Sequence, residues 1–195
     1  VTMAVVASPD DVFVLCHTGG DGAVSWVERV HPETLETLAT SEHLTGGPAW
    51  PGGTAVHPNG DIYVVFGNHA HRLNRSLQVV ATRELPRARP YNSFVVLPDG
   101  HLVTKDFGGS RPGNEMEEPF APTQLVVLEP TGLNIVATLD LAEASIARLS
   151  ANENDVYVVG TSSLWRVCWD GDSLHSDGWR AEYRHLQGQT YGWDV

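Results

Sequence analysis

Asn92, Lys105 and Asp106 are the first polar side chains whose setting invites a chemical reading. They stand in "RPYNSFVVLPDGHLVTKDFGG", residues 89 to 109, which is otherwise an apolar run, a Pro-Asp-Gly turn and a second apolar run. A hairpin of this kind brings its two ends together, so an amide, an ammonium and a carboxylate are expected at one end of a strand pair. Such groups can orient a polar substrate, hold a hard cation through oxygen, or assist a water.

Other constellations are weaker. His69-Ala70-His71 puts two imidazoles on one face of an extended segment, and with His57 or His17 they would suit zinc or another transition metal. Exposed or hydrogen-bonded histidines are the simpler expectation. "WDGDSLHSDG" (169 to 178) offers Asp170, Asp172 and Asp177 but lacks the glycine and bidentate glutamate of a calcium-binding helical loop, and reads as a turn between strands. Cys16 and His17 are neighbours, and neighbours on a strand point to opposite faces, so they are not a nucleophile and its base. No GxSxG, HExxH, phosphate-loop or dinucleotide fingerprint occurs.

Composition narrows the partners. With 24 acidic against 12 basic side chains the formal net charge is −12, which repels phosphate backbones and acidic lipids, so neither nucleic acid nor a membrane is expected as a partner. No apolar run reaches the roughly 18 residues of a membrane span, the stretch "VTMAVVASPDD" lacks the basic and long apolar regions of a signal peptide, and a soluble protein is expected whose compartment is open. Two cysteines, Cys16 and Cys168, make no disulfide framework and are expected as buried thiols.

The elements that must position these residues repeat. "MAVVASPDDVFVLCH" (3 to 17), "TAVHPNGDIYVVFGN" (54 to 68), "FVVLPDGHLVTKDFG" (94 to 108) and "ARLSANENDVYVVGT" (147 to 161) each read strand, tight turn, strand, and a second hairpin follows each. With Asp11, Asp61, His101 and Asp155 as equivalent positions, the steps are 50, 40 and 54 residues. Four strands at this period predict an all-β chain, a β-propeller. Its blades fall at about 1–46, 47–87, 88–141 and 142–187, and 188–195 is expected to begin a fifth, within a six-bladed ring. Helix is scarce; the second half of "DLAEASIARL" (140 to 149) is expected to be an innermost strand.

In a propeller the start of strand A and the end of strand B meet at one face around the axis. Asn92, Lys105 and Asp106 are therefore expected on that face as a small-molecule site, with Trp50 of "GGPAWPGG" (46 to 53) lining it. Tyr191-Gly192-Trp193-Asp194-Val195 aligns with Tyr91-Asn92-Ser93-Phe94-Val95, which brings Asp194 towards the same face. The loop "FGGSRPGNEMEEPFAP" (107 to 122) is the longest of its kind and is the expected contact for a lid or a protein partner.

The hairpin at 89 to 108, with its Arg-Pro-Tyr-Asn start and Pro-Asp-Gly turn, resembles that of the gluconolactonase, senescence-marker-protein and paraoxonase-like six-bladed propellers. The resemblance implies a calcium ion in the channel and hydrolysis of a lactone or ester. It makes Asn92 a substrate-facing or metal-facing group, Asp194 a second ligand, and Asp106 or Asp194 the catalytic carboxylate. One blade on, where that family has an asparagine, this chain has Ser145-Ile146-Ala147. The alternative function is a propeller that binds a ligand or protein without catalysis.

Overall fold

The computed structural model describes residues 2–7, 11–18, 22–44, 46, 52–108 and 122–183. Their strands form four antiparallel meanders. Blade 1 holds β1 (Thr2–Ala7), β2 (Val12–His17), β3 (Ser25–Val30) and β4 (Thr37–Thr40); blade 2 holds β5 (Gly53–Val56), β6 (Ile62–Phe66), β7 (His69–Leu73) and β8 (Val79–Glu84). Blade 3 holds β9 (Tyr91–Val96), β10 (Leu102–Asp106), β11 (Gln124–Leu128) and β12 (Ile135–Asp140). Blade 4 holds β13 (Leu149–Asn152), β14 (Asp155–Val159) and β15 (Ser163–Trp169), and its outer strand comes in two pieces, β16 (Leu174–His175) and β17 (Arg180–Glu182), both paired to β15. No helix occurs among the described residues, so none is long and apolar enough to cross a membrane.

The first hairpin of blades 2 and 3 closes as its sequence requires. Gly60 and Gly100 sit at φ +89° and +91°, a region glycine enters without a Cβ penalty, and Gly60 N–H donates to the His57 carbonyl at 2.8 Å, as Gly100 N–H does to Leu97 at 2.9 Å. Residues 141 to 148 form no helix, but the innermost strand begins only at Leu149, later than expected, because the backbone of Ser145 to Ala147 is taken up by Lys105 and Asn92 of blade 3.

Apolar clusters fill the seams between successive blades. Phe13, Leu15 and Val27 of blade 1 pack with Ile62, Val64 and Phe66 of blade 2. Tyr63 and Val65 on the opposite face of blade 2 pack with Leu102 and Val126 of blade 3, whose Val103 and Val127 pack with Val156, Val158 and Trp165 of blade 4. Blades 2 and 3 are thus covered on both faces, which is why β6 and β10 are buried at every position while β2 and β15 alternate. An apolar run answers that demand in β6. In β10 the same demand falls on Thr104, Lys105 and Asp106. Neither cysteine is in a disulfide, and both are half-buried, more open than the sequence suggested, because Cys16 and Cys168 lie on the less covered faces of blades 1 and 4.

Candidate functional site

At one end of blade 3, Asn92 of β9 stands opposite Lys105 of β10, and Tyr91 opposite Asp106. The sequence expectation that all three polar groups share this end holds for position only. Successive side chains on a strand alternate, so Lys105 and Asn92 face blade 4 while Asp106 turns towards blade 2.

The face towards blade 4 is built from donors. Lys105 is fully buried, and its Nζ donates to the Ser145 carbonyl at 3.0 Å and the Asp106 carbonyl at 3.4 Å. Asn92 Nδ2 donates to the Ala147 carbonyl at 2.9 Å and the Ile146 carbonyl at 3.2 Å. Asn92 Oδ1 is buried with no hydrogen-bond partner among the described residues. Burial pushes the Lys105 ammonium down to about 7; the charge of Asp106 opposes that shift, and the charge of Arg148 adds to it.

Ser93 is the residue that sequence reasoning passed over. It lies at φ +66° in a β-bulge, where the ladder slips between Val103 and Lys105. Its N–H reaches the Gly52 carbonyl at 3.4 Å, its carbonyl accepts from Thr104 Oγ1 at 2.7 Å, and its Oγ accepts from Leu149 N–H at 3.0 Å. One strained residue thereby joins the innermost strands of blades 2, 3 and 4. The approach is close enough that a Cβ on Gly53 would stand 2.4 Å from Ser93 N. Its only sequence signal is a polar Asn-Ser pair where a strand should continue.

On the other face, Asp106 is fully buried and accepts from Arg87 Nη1 at 2.9 Å, Arg89 Nη1 at 3.4 Å and Gln124 N–H at 2.7 Å. Arg87 also reaches Asp140 at 2.9 Å, and its N–H donates to the Tyr91 hydroxyl at 3.1 Å. Burial pushes that phenol up to about 12. This carboxylate is the hub that ties the connector 86–90 to the ends of β10, β11 and β12. Arg87 and Arg89 were visible in the sequence only as isolated cations.

Trp50, Asp194 and all of the 107 to 122 loop except Phe107, Gly108 and Pro122 lie outside the described residues. His69 and His71 do share a face, with rings 6.2 Å apart, but His69 Nδ1 pairs with Asn68 Oδ1 and His71 Nδ1 with Thr82 Oγ1. His57 is at the opposite end of the blade, bonded to the Gly100 carbonyl. Asp170 accepts the N–H groups of Asp172 and Ser173 at 2.9 and 2.8 Å, the turn its sequence suggested.

Among the described residues no three His, Cys, Asp or Glu side chains gather as a metal would need. Asn92 Oδ1 could serve a cation, yet Lys105 stands opposite it on the same face, and the oxygens of Asp106 are committed on the other face. The described donors do not fit a divalent ion.

No family model matches the chain, and no curated protein matches it. Solved structures do. The WD40 domain of Neurospora crassa Pan2 aligns over 93% of this chain and 49% of its own, with TM-score 0.64 and 6% identity. The chain is a β-propeller. Virginiamycin B lyase from Staphylococcus aureus (TM-score 0.63, 10% identity, 90% of this chain and 54% of its own) and a streptogramin B lyase (0.62, 14%, 89% and 53%) share the fold. The propeller described here spans about half the length of these three proteins, while a computationally designed protein, Ika4, is covered over 90% of its length with TM-score 0.60. No comparison singles out the gluconolactonase group.

Proposed function

We propose that this chain is part of a ligand-binding propeller whose small-molecule site lies at the blade 3 and 4 end of the axis, around Asn92 and Lys105. The observation that carries the reading is the buried, unpartnered Asn92 Oδ1 beside a buried amine. A buried acceptor left unmet costs about 1–3 kcal/mol, and a ligand hydroxyl or amide N–H would recover it. Binding is preferred to metal-assisted hydrolysis because Asp106, one of the two carboxylates expected to be catalytic, accepts from two arginines and a backbone amide. The relatives in fold include both a WD40 domain and lyases, so the fold leaves the class open.

The test is a thermal-shift and calorimetry screen with sugars, lactones and hydroxy acids, run beside a lactone hydrolysis assay with and without chelator. The expected result is a polar ligand that raises the melting temperature of the native chain but not of Asn92→Leu, with no hydrolysis. Chelator-sensitive turnover lost in Asn92→Leu would overturn this reading in favour of the calcium-dependent lactonase. The absence of any ligand across the panel would also count against it.

A further inference from the structure

The 12 basic side chains of the sequence are eleven arginines and one lysine, Lys105. Every described arginine keeps some exposure, whereas the lysine is fully buried. The scaffold does not ask for a lysine there. Leu15, Val65 and Val159 hold the same place in the second strands of blades 1, 2 and 4, and each is buried. Among these four blades only blade 3 puts an amine where the others put an aliphatic group, and burying an amine costs free energy that burying an aliphatic group does not. Nor would arginine serve. A guanidinium stays protonated, whereas a desolvated amine is available as a neutral nucleophile near neutral pH, and burial holds Lys105 at about 7.

Its hydrogen bonds prepare that amine. Nζ donates to the Ser145 carbonyl at 3.0 Å and the Asp106 carbonyl at 3.4 Å, two backbone groups rather than carboxylates. A neutral amine with both N–H groups spent in this way has its lone pair directed away from both carbonyls. Asn92, opposite on β9, spends Nδ2 on the Ile146 and Ala147 carbonyls and keeps Oδ1 as an acceptor on the same face. A nucleophilic nitrogen and an acceptor for a hydroxyl are the two groups that addition to a carbonyl compound needs. The connector 141–148 that faces them forms no strand or helix, so it can shift to admit a small molecule without breaking a sheet.

We propose that the ligand of this site is a small aldehyde or ketone, which Lys105 holds covalently as an imine. This rests on the binding site proposed above and names its ligand class. The nitrogen lone pair forms the C–N bond as the carbonyl π pair moves to oxygen, and one proton passes from nitrogen to that oxygen. The new hydroxyl donates to Asn92 Oδ1. It then departs with the second nitrogen proton as water, leaving C=N, and no oxidant or reductant takes part.

The folded 195-residue chain is incubated at pH 7 with glycolaldehyde, pyruvate or acetoacetate, and cyanoborohydride is added to reduce any imine. Intact mass should rise by that of one carbonyl compound less one oxygen, and peptide mapping should place the addition on Lys105 rather than on the terminal amine. Lys105→Met, which restores the apolar character of Val65, should fold with an unchanged circular dichroism spectrum and gain nothing. Asn92→Leu should slow trapping roughly tenfold by removing the acceptor for the hydroxyl. In urea, where the ammonium is ordinary, Lys105 of the native sequence should react at least about tenfold more slowly than in the fold. An adduct confined to the terminal amine, or a lysine that reacts faster in urea, would overturn the imine. A hydroxy compound that raises the melting temperature through Asn92, with no carbonyl compound trapped, would also overturn it and leave the binding site standing. The absence of both binding and trapping overturns both.

Discussion

Blades 2 and 3 are built on the same hairpin and end it in opposite chemistry. Gly52, Val65 and Phe66 in blade 2 occupy the positions of Asn92, Lys105 and Asp106 in blade 3, and Val65, Phe66, Lys105 and Asp106 are all fully buried. The repeat decides where a side chain sits, and burial decides what it must find there. Apolar groups in blade 2 need only volume. The polar groups in blade 3 need partners on both neighbouring blades, and they obtain them from Arg87, Arg89 and the backbone of Ser145 to Ala147. Blade 3 is therefore the part of the ring where scaffold demands alone do not explain the sequence.

The comparison breaks hardest at Asp106. Asp106→Ala would leave Arg87, Arg89 and the Gln124 amide without their acceptor, and losing one side of a buried ion pair costs about 3–5 kcal/mol. We expect about 3, because the arginine side chains are 26% and 36% exposed and partly solvated. Urea unfolding checks it; a loss near zero would mean that the clamp is ornamental. Gly53→Ala tests the blade 2 side. Its Cβ would meet backbone atoms of Ser93 at 2.4 and 2.6 Å, so the innermost strands must part, at a cost of about 1–3 kcal/mol. Melting temperature falls accordingly, while Gly22→Ala, which meets nothing within 4 Å, serves as the control.

Lys105 sharpens the contrast through pH. Its ammonium titrates at about 7 in the fold and near 10.4 in an unfolded chain, so between these values the unfolded state holds the extra proton. Stability should therefore rise with pH across that window, by at most about 1.4 kcal/mol per pH unit from this group. Lys105→Met should flatten the rise and raise stability below pH 7, and unfolding curves at pH 6, 8 and 9.5 would show it. An unchanged slope would place the amine in a wetter setting than its burial implies.

Much of the fold was open to sequence reasoning because it rests on local chemistry. Pro58-Asn59-Gly60 and Pro98-Asp99-Gly100 fix the hairpins, and the apolar runs of β6 follow from burial on both faces. The site was half legible. Alternation alone divides Lys105 from Asp106, but nothing local says that Arg87 and Arg89 reach the same carboxylate, since that depends on how a connector folds back. The turn leucines were illegible for a different reason. Leucine is not a residue expected at positive φ; Leu77 and Leu133 accept it with side chains buried in the seams between blades, while Leu35 takes the same backbone conformation with its side chain exposed.

Ser93 gives the smallest and most discriminating test. Ser93→Gly would relieve a non-glycine residue at φ +66°, a gain of about 1 kcal/mol, and would remove the Oγ that accepts from Leu149 N–H, a loss of similar size. The net change should stay within about 1 kcal/mol, whereas Ser93→Ala keeps the strain and loses the bond, and should cost about 1 kcal/mol more than the glycine variant. Had the serine been retained only because the bulge needs a small residue, alanine and glycine would differ by the strain alone and Leu149 N–H would exchange with solvent no faster. Faster amide exchange at Leu149 in both variants, with blade 2 amides unchanged, would show that the serine hydroxyl is what couples the innermost strands of blades 3 and 4.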